Sequence, residues 1–260
     1  MFTISKKRRY LILVQILLIC LTYNQCLSET NLYGDVKPED YLTGRFNPYK
    51  NKLFVSVSSV GIPATSKRLY LRKDVTLAFK KMLLDFRKSH PKIRIWICSA
   101  TRNFNVQKSI WEKKFDGRRL VGGKKLTETI KDPLERALRI LQYSSMPGTS
   151  RHHWGTDLDI NYLSNKYYKK GKGKIIYEWL KKNGPKYGFC QPYTDGRDKG
   201  YNEERWHWSY RPIAKVFLRD WNKLYKKKVI KTKNKKLFKG AEHSGHLAPI
   251  YVNEINKSCK

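Results

Sequence analysis

The sequence predicts an α+β protein with a small, mainly antiparallel sheet and packed helices. Helical and strand periodicities are mixed along the chain, without the regular alternation that builds a parallel sheet. Two histidine-bearing segments, "SRHHWGTDLDI" (150–160) and "ERWHWSY" (204–210), each read as a loop running into a strand. No internal repeat is visible, and 260 residues are enough for one core of enzyme size with extensions.

The elements follow in order. Lys6, Lys7, Arg8 and Arg9 precede the apolar run Tyr10 to Leu21, the charged-then-apolar layout of a secretory signal and short for a bilayer-spanning helix. Residues 1–27 are therefore expected to be a signal peptide or an N-terminal membrane anchor. The protein is expected to be exported, to the periplasm or the outer face of the cytoplasmic membrane. "YNQCLSET" has no clean small-x-small cleavage site, and neither Cys20 nor Cys26 sits in a good lipobox, so cleavage, lipidation and retention stay open. Residues 28–70 read as an N-terminal extension, with Gly and Pro turn signals in "YLTGRFNPYK" ahead of a short alternating apolar run.

The central region, 71–212, begins with an amphipathic helix. Val75, Ala78, Phe79, Met82, Leu83 and Phe86 recur at three and four, Asp74 is placed to cap the start, and Pro91 follows the end. "IRIWICSA" (93–100) alternates as a strand. A helix from Asn103 to about Phe115, a Gly- and Lys-rich loop, and a helix opening at Asp132-Pro133 come next. After "SSMPG" the first histidine segment ends in the alternating "DLDINY". A lysine-rich loop, a helix around "IIYEWLKKNG" and the run "YGFCQPY" lead to the second. Residues 213–260 form a basic C-terminal extension, with a helix through "IAKVFLRDWNKLY" and then "KKKVIKTKNKK".

Lys+Arg number 55 against 21 Asp+Glu, a net charge of +34 that favours anionic partners. The charge is spread along the chain with no accompanying nucleic-acid-binding signature, so no specific nucleic acid is expected. Electrostatic association with an anionic membrane or cell-wall polymer fits an exported protein better. Without the leader, Cys98, Cys190 and Cys259 remain, an odd number that leaves at least one thiol unpaired. Spacing does not say which.

A catalytic zinc site takes three protein ligands and leaves a position for water. His152 and Asp159 supply two, with Gly155 as a turn between a loop-borne histidine and a strand-borne aspartate; His207 is the third, and Glu204 lies three residues before it. A carboxylate that is near the metal without binding it is what an activated water needs as proton acceptor. Taken singly, each histidine also fits a buried core position, and Asp157 or Asp159 could simply end a turn; their joint occurrence carries the reading. His153 and Trp154 are expected to pack or orient, and His243 and His246 to lie at the surface.

The pattern Ser150-x-His152-x-x-Gly155-x-x-x-Asp159, followed by Glu204-x-Trp206-His207, resembles the SxHxxGxAxD and ExWH motifs of the VanY-type D-alanyl-D-alanine carboxypeptidases. These are zinc peptidases that share a fold with the vancomycin-resistance D,D-dipeptidases and the Hedgehog signalling domain. "SATRNFNVQ" (99–107) resembles the family segment in which an Arg and, five residues later, a Gln line the substrate cleft. One position departs: Asp157 stands where the family usually has Ala. The resemblance implies the Hedgehog/D,D-peptidase-like zinc peptidase fold over about 71–212. It also implies one Zn²⁺ held by His152, Asp159 and His207, Glu204 as base, Arg102 polarising the scissile carbonyl, and Ser150 and Gln107 touching substrate.

The implied function is an exported D,D-carboxypeptidase that removes the terminal D-alanine from peptidoglycan stem peptides. An endopeptidase using the same zinc apparatus is the alternative, and a non-catalytic zinc-containing binding module a more distant one, disfavoured by the carboxylate at Glu204.

Overall fold

A computed structural model describes residues 32–260; the leader read in 1–27 lies outside them. Two units are distinguished, 1–37 and 38–260. Of the first, the described residues 32–37 form turns, closed by Val36 N–H donating to the Tyr33 carbonyl at 3.3 Å. No helix among the described residues is long and apolar enough to cross a membrane. The second unit takes in residues 38–70 and 213–260 together with the central region.

In chain order this unit contains the hairpin strands β1 (Phe54–Ser56) and β2 (Tyr70–Arg72), helix α1 (Lys73–Ser89), strand β3 (Ile97–Ser99), helices α2 (Phe104–Phe115) and α3 (Pro133–Leu141), and strand β4 (Asp157–Ile160). Helix α4 (Gly171–Asn183), strands β5 (Phe189–Cys190) and β6 (His207–Tyr210) and helix α5 (Arg211–Lys226) complete the framework, with short helical turns between and after them. β1 and β2 pair antiparallel, and a four-stranded antiparallel sheet runs β3-β4-β6-β5.

Local chemistry accounts for most boundaries. Asn103 caps α2 by accepting the Val106 N–H at 2.9 Å, and Asp132 caps α3 by accepting the Glu135 N–H at 2.8 Å. Asp74 does not cap α1. Strand β2 runs directly into that helix, so Arg72 holds the cap position, and Asp74 sits in the first turn, 3.1 Å from the Arg72 guanidinium. The strand expected over 93–100 is paired only at Ile97–Ser99. Its partner β4 ends at Ile160, where Asn161 turns away with φ 50°, and the ladder stops with it.

The core lies on one face of the sheet. Leu158, Ile160 and Trp208 pack against Val75, Phe79 and Phe86 of α1 and Ile176 and Leu180 of α4. Because side chains alternate along a strand, Asp157 and Asp159 of β4 and His207 and Ser209 of β6 share the opposite face. The β4–β6 register sets Asp159 opposite His207 and Asp157 opposite Ser209. Helix α5 closes the other side, where the Trp221 indole N–H donates to the Gly148 carbonyl at 3.1 Å. Cys190 of β5 is joined to Cys259 near the C-terminus, and Cys98 is the free thiol among the described residues.

Candidate metal centre and active site

His152 belongs to the single turn Arg151–Trp154 that precedes β4. Gly155 ends that turn with φ +72°, a conformation natural to glycine, and a Cβ there would come within 2.4 Å of the Phe54 ring. The turn brings the His152 ring over the Asp159–His207 pair. One donor atom from each of the three residues lies within 4.8 Å of the others, and all three side chains are buried.

The histidine tautomers follow from their partners. His152 Nδ1 lies 2.8 Å from the Ala100 carbonyl oxygen, which can only accept, so Nδ1 carries the proton. Nε2 then presents its lone pair 3.4 Å from Asp159 Oδ2. His207 Nε2 lies 2.9 Å from Asp157 Oδ2 and donates to it, leaving the Nδ1 lone pair 3.1 Å from Asp159 Oδ1 and 3.5 Å from Glu204 Oε2. Asp159 Oδ1 is buried and has no hydrogen-bond partner among the described residues. With both rings neutral, two imidazole lone pairs and a carboxylate converge with no donor between them, a combination that asks for a cation, either a metal ion or a proton on His207 Nδ1.

The spacing fits a metal. Ligand atoms about 2.1 Å from one tetrahedral zinc lie about 3.4 Å apart, and each histidine nitrogen comes that close to one Asp159 oxygen, His152 Nε2 3.4 Å from Oδ2 and His207 Nδ1 3.1 Å from Oδ1, while one donor atom per residue lies within 4.8 Å of the others. Electrostatics agree. Burial alone would drive the His207 ring neutral, yet the carboxylates of Asp157, Asp159 and Glu204 around it favour a positive charge there and hold its pKa well above the ordinary value. Burial likewise opposes ionisation of Asp159, but His152 and His207 keep that carboxyl below the usual range. The site stabilises positive charge.

Asp157, the departure from the family pattern, does not face the converging atoms. It accepts from His207 Nε2, from Arg151 Nε at 2.9 Å, from Ser209 Oγ at 2.8 Å and from Thr156 Oγ1 at 2.7 Å. Burial resists its charge, but Arg151 and His207 hold it well below the carboxylate range. It is the anionic partner behind a candidate metal-binding histidine, fixing the ring's orientation. Neighbouring strands supply the network, since Asp157 and Ser209 are cross-strand partners.

Glu204 is buried beside His207, held by its own N–H to the Tyr193 carbonyl at 2.9 Å. Burial raises its pKa against the opposing pull of His207. Arg102 donates from Nη1 to Ser99 Oγ at 2.9 Å, and the same nitrogen lies 3.9 Å from Asp159 Oδ2. Its backbone is pinned by His153, whose Nδ1–H donates to the Arg102 carbonyl at 2.6 Å while Nε2 accepts the Gly148 N–H at 3.0 Å. Burial pushes His153 down to about 3, so it is a neutral packing residue. Gly44, with φ +74°, lies against that ring; a Cβ there would approach Nδ1 to 2.4 Å. The segment read as an extension thus buttresses the site.

Arg102, Gln107, His152, Asp159, Glu204 and His207 all line one cavity of about 430 Å³. Gln107 donates from Nε2 to the Ser145 carbonyl at 2.7 Å, leaving its buried Oε1 without a partner among the described residues. Ser150, expected to touch substrate, has its Oγ buried without a hydrogen-bond partner among the described residues. It is fully buried, does not line the cavity, and starts the turn that carries His152, its carbonyl accepting the His153 N–H at 3.0 Å. The cavity also includes Lys114, Arg119, Tyr143, Tyr193, Tyr201 and Trp206. Sequence reasoning did not single out these residues as a set, because they come from separate segments and no motif joins them.

Comparison with known proteins gives three kinds of similarity. The VanY family model, described as D-alanyl-D-alanine carboxypeptidase, matches residues 68–213. A curated relative, an uncharacterized protein of Haemophilus influenzae, is 32% identical over 80 residues, covering 26% of this chain and 61% of that protein. The chain thus spans about 61% of the length of the curated relative that it matches. Among solved structures, VanYB in complex with D-alanine-D-alanine aligns with a TM-score of 0.44 at 16% identity, covering 64% of this chain and 87% of that one. The LdcB LD-carboxypeptidase aligns with a TM-score of 0.48 at 18% identity, covering 73% and 87%.

Proposed function

Because the chain belongs to the VanY family of D-alanyl-D-alanine carboxypeptidases, we propose that it is an exported zinc peptidase that removes the terminal D-alanine from peptidoglycan stem peptides. The observation that carries the reading is the convergence of one donor atom each from His152, Asp159 and His207 within 4.8 Å, with Glu204 Oε2 3.5 Å from His207 Nδ1.

His152, Asp159 and His207 would hold one Zn²⁺. Zinc, when bound, supplies Lewis acidity that activates water at neutral pH and polarises a carbonyl. The chain's own residues do the rest. Glu204, its affinity for a proton raised by burial, accepts the proton of the attacking water and delivers it to the departing amine. Arg102 presents a guanidinium held by Ser99 as a fixed donor for charge developing on the carbonyl oxygen. Asp157, anchored by Arg151 and Ser209, keeps the His207 ring turned with Nδ1 inward. The phenol-bearing walls, Tyr193 and Tyr201, are buried and withdraw the cavity floor from bulk water.

Export is part of the proposal, since the substrate lies outside the cytoplasm. Its supports are the charged-then-apolar leader and the Cys190–Cys259 bond, a linkage that persists in oxidising compartments. The net charge of +34 suits association with an anionic membrane or wall polymer.

The test is to incubate the purified chain with a muramyl pentapeptide ending in D-Ala-D-Ala and weigh the products, with and without a chelator. Loss of one alanine mass that a chelator abolishes and added Zn²⁺ restores is the expected result. Cleavage at an internal bond instead would replace this activity with an endopeptidase one, and no cleavage in any zinc-loaded sample would refute the peptidase reading.

A further inference from the structure

The cavity holds a cation that the chemistry above does not use. On α2, residues 107, 111 and 114 fall on one face at helical spacing; Gln107 and Trp111 are buried, and Lys114, half-buried, lines the cavity. Its Nζ donates to Ser144 Oγ and, among the described residues, forms no ion pair. Lys108 on the same helix, by contrast, pairs with Glu112 at 3.8 Å. An ammonium drawn out of water beside a single hydroxyl is poorly compensated, and an arriving anion relieves that cost.

The cavity's charges point the same way. Its lining carries Arg102, Lys114 and Arg119 against Asp159 and Glu204 as the carboxylates. Asp159 belongs to the converging donor set, Glu204 stands beside His207, and Arg102 is engaged by Ser99 and Asp159. Arg119 is exposed and forms no ion pair among the described residues, and it lies near enough to Lys114 to act on its charge. Any metal bound by His152, Asp159 and His207 adds further positive charge. What is left over is a half-buried ammonium with a guanidinium nearby, opening on the same cavity as the base and sharing its electrostatic environment.

Resting on the peptidase reading above, we propose that Lys114, assisted by Arg119, binds the C-terminal carboxylate of the peptide substrate and so makes the enzyme an exopeptidase. A free terminal carboxylate lies one residue beyond the scissile bond and is the anion that every carboxypeptidase substrate brings. Ser144 holds the ammonium in place for it. A neutral C-terminal amide, or a chain continuing past the scissile bond, leaves the ammonium unmatched. Lys114 is thus a specificity residue for the leaving side of the substrate, and the chemistry at Glu204 does not depend on it.

The experiment uses the full zinc-loaded chain and two substrates, a peptide ending in D-Ala-D-Ala and its C-terminal amide. The wild type should prefer the acid by about 10- to 100-fold in kcat/KM, the range of one charge-assisted hydrogen bond. In Lys114→Met and Lys114→Gln that ratio should fall toward one, mainly through KM for the acid, and Lys114→Arg should retain most of it. Lys114→Gln keeps a partner for Ser144 and serves if the methionine variant does not fold. A wild-type ratio near one, or an unchanged ratio in both neutral variants, overturns the inference and leaves the peptidase reading intact. If the wild type cleaves neither peptide, the peptidase reading fails, and calorimetric titration of both peptides decides this inference separately. Tighter binding of the acid that both neutral variants lose supports it; equal or absent binding overturns it.

Discussion

Two carboxylates address opposite nitrogens of the His207 ring, Glu204 near Nδ1 and Asp157 at Nε2, and their substitutions should separate. Glu204→Gln keeps the shape but cannot accept a proton, so zinc content should hold while turnover falls by roughly 10² or more. Near-normal turnover would remove Glu204 as base. Asp157→Asn keeps an acceptor for His207 but gives up the charge, so zinc affinity should fall by about 10- to 100-fold in competition with a chromophoric chelator. Unchanged affinity would reduce Asp157 to a packing role. Lys114 adds a pH signature. Burial, helped by Arg119 and Arg102 and opposed by Glu204, pushes its pKa down to about 8. Its charge is therefore present below that pH and lost above it, and the preference for a free-acid substrate over its amide should decline between about pH 7 and about pH 9. A preference that stays flat over that range would argue against Lys114 as the discriminating cation.

At the scale of elements, the site is made by a turn and two strands. Gly155 is what lets the His152 turn close onto β4, so Gly155→Ala imposes both a left-handed backbone on a Cβ-bearing residue and a clash with Phe54. A loss of roughly 1–3 kcal/mol in stability is expected, with zinc content falling alongside as His152 moves. A variant with wild-type melting temperature and full zinc would mean that the turn tolerates the change. Part of this was legible beforehand, because alternation along β4 puts Asp157 and Asp159 on one face and alternation along β6 does the same for His207 and Ser209; that the two pairs share a face is set by the β4–β6 register. The caps at Asn103 and Asp132 were equally local. What was not legible depended on partners distant in sequence. The true length of β3 is set by where Asn161 turns, Ser150 is buried by the turn it starts, and the anionic support behind His207 joins Arg151, Asp157 and Ser209 across two elements. Lys114 was hidden by composition, one cation among 55. Only the cavity distinguishes it from the rest.

For the molecule as a whole, the described residues on either side of the family-matched region, 38–67 and 214–260, belong to the same folded unit as that region. Gly44 lies against His153, and at the other end Cys259 is tied to Cys190 of β5, whose neighbour in the sheet is β6 with His207 at its start. The bond spans a sequence separation of 69 residues. In the chain-entropy view, closing a loop of that size removes enough freedom from the unfolded state to be worth about 4 kcal/mol, with 2–5 kcal/mol typical when a native bridge is removed. Cys190→Ser with Cys259→Ser should therefore lower stability by that order, measured by denaturant unfolding of the full chain against the wild type. The ligand geometry makes a second demand on the same variant. His152 hangs from the Ala100 carbonyl, and His207 is fixed by Asp157 from within the sheet, so neither ligand is held by the bridge. Below the unfolding transition the double serine variant should still bind one zinc with near wild-type affinity. If zinc were lost while the fold persisted, the C-terminal segment would be acting on β6 and the metal ligands directly, and the bridge would belong to the site as well as to the scaffold.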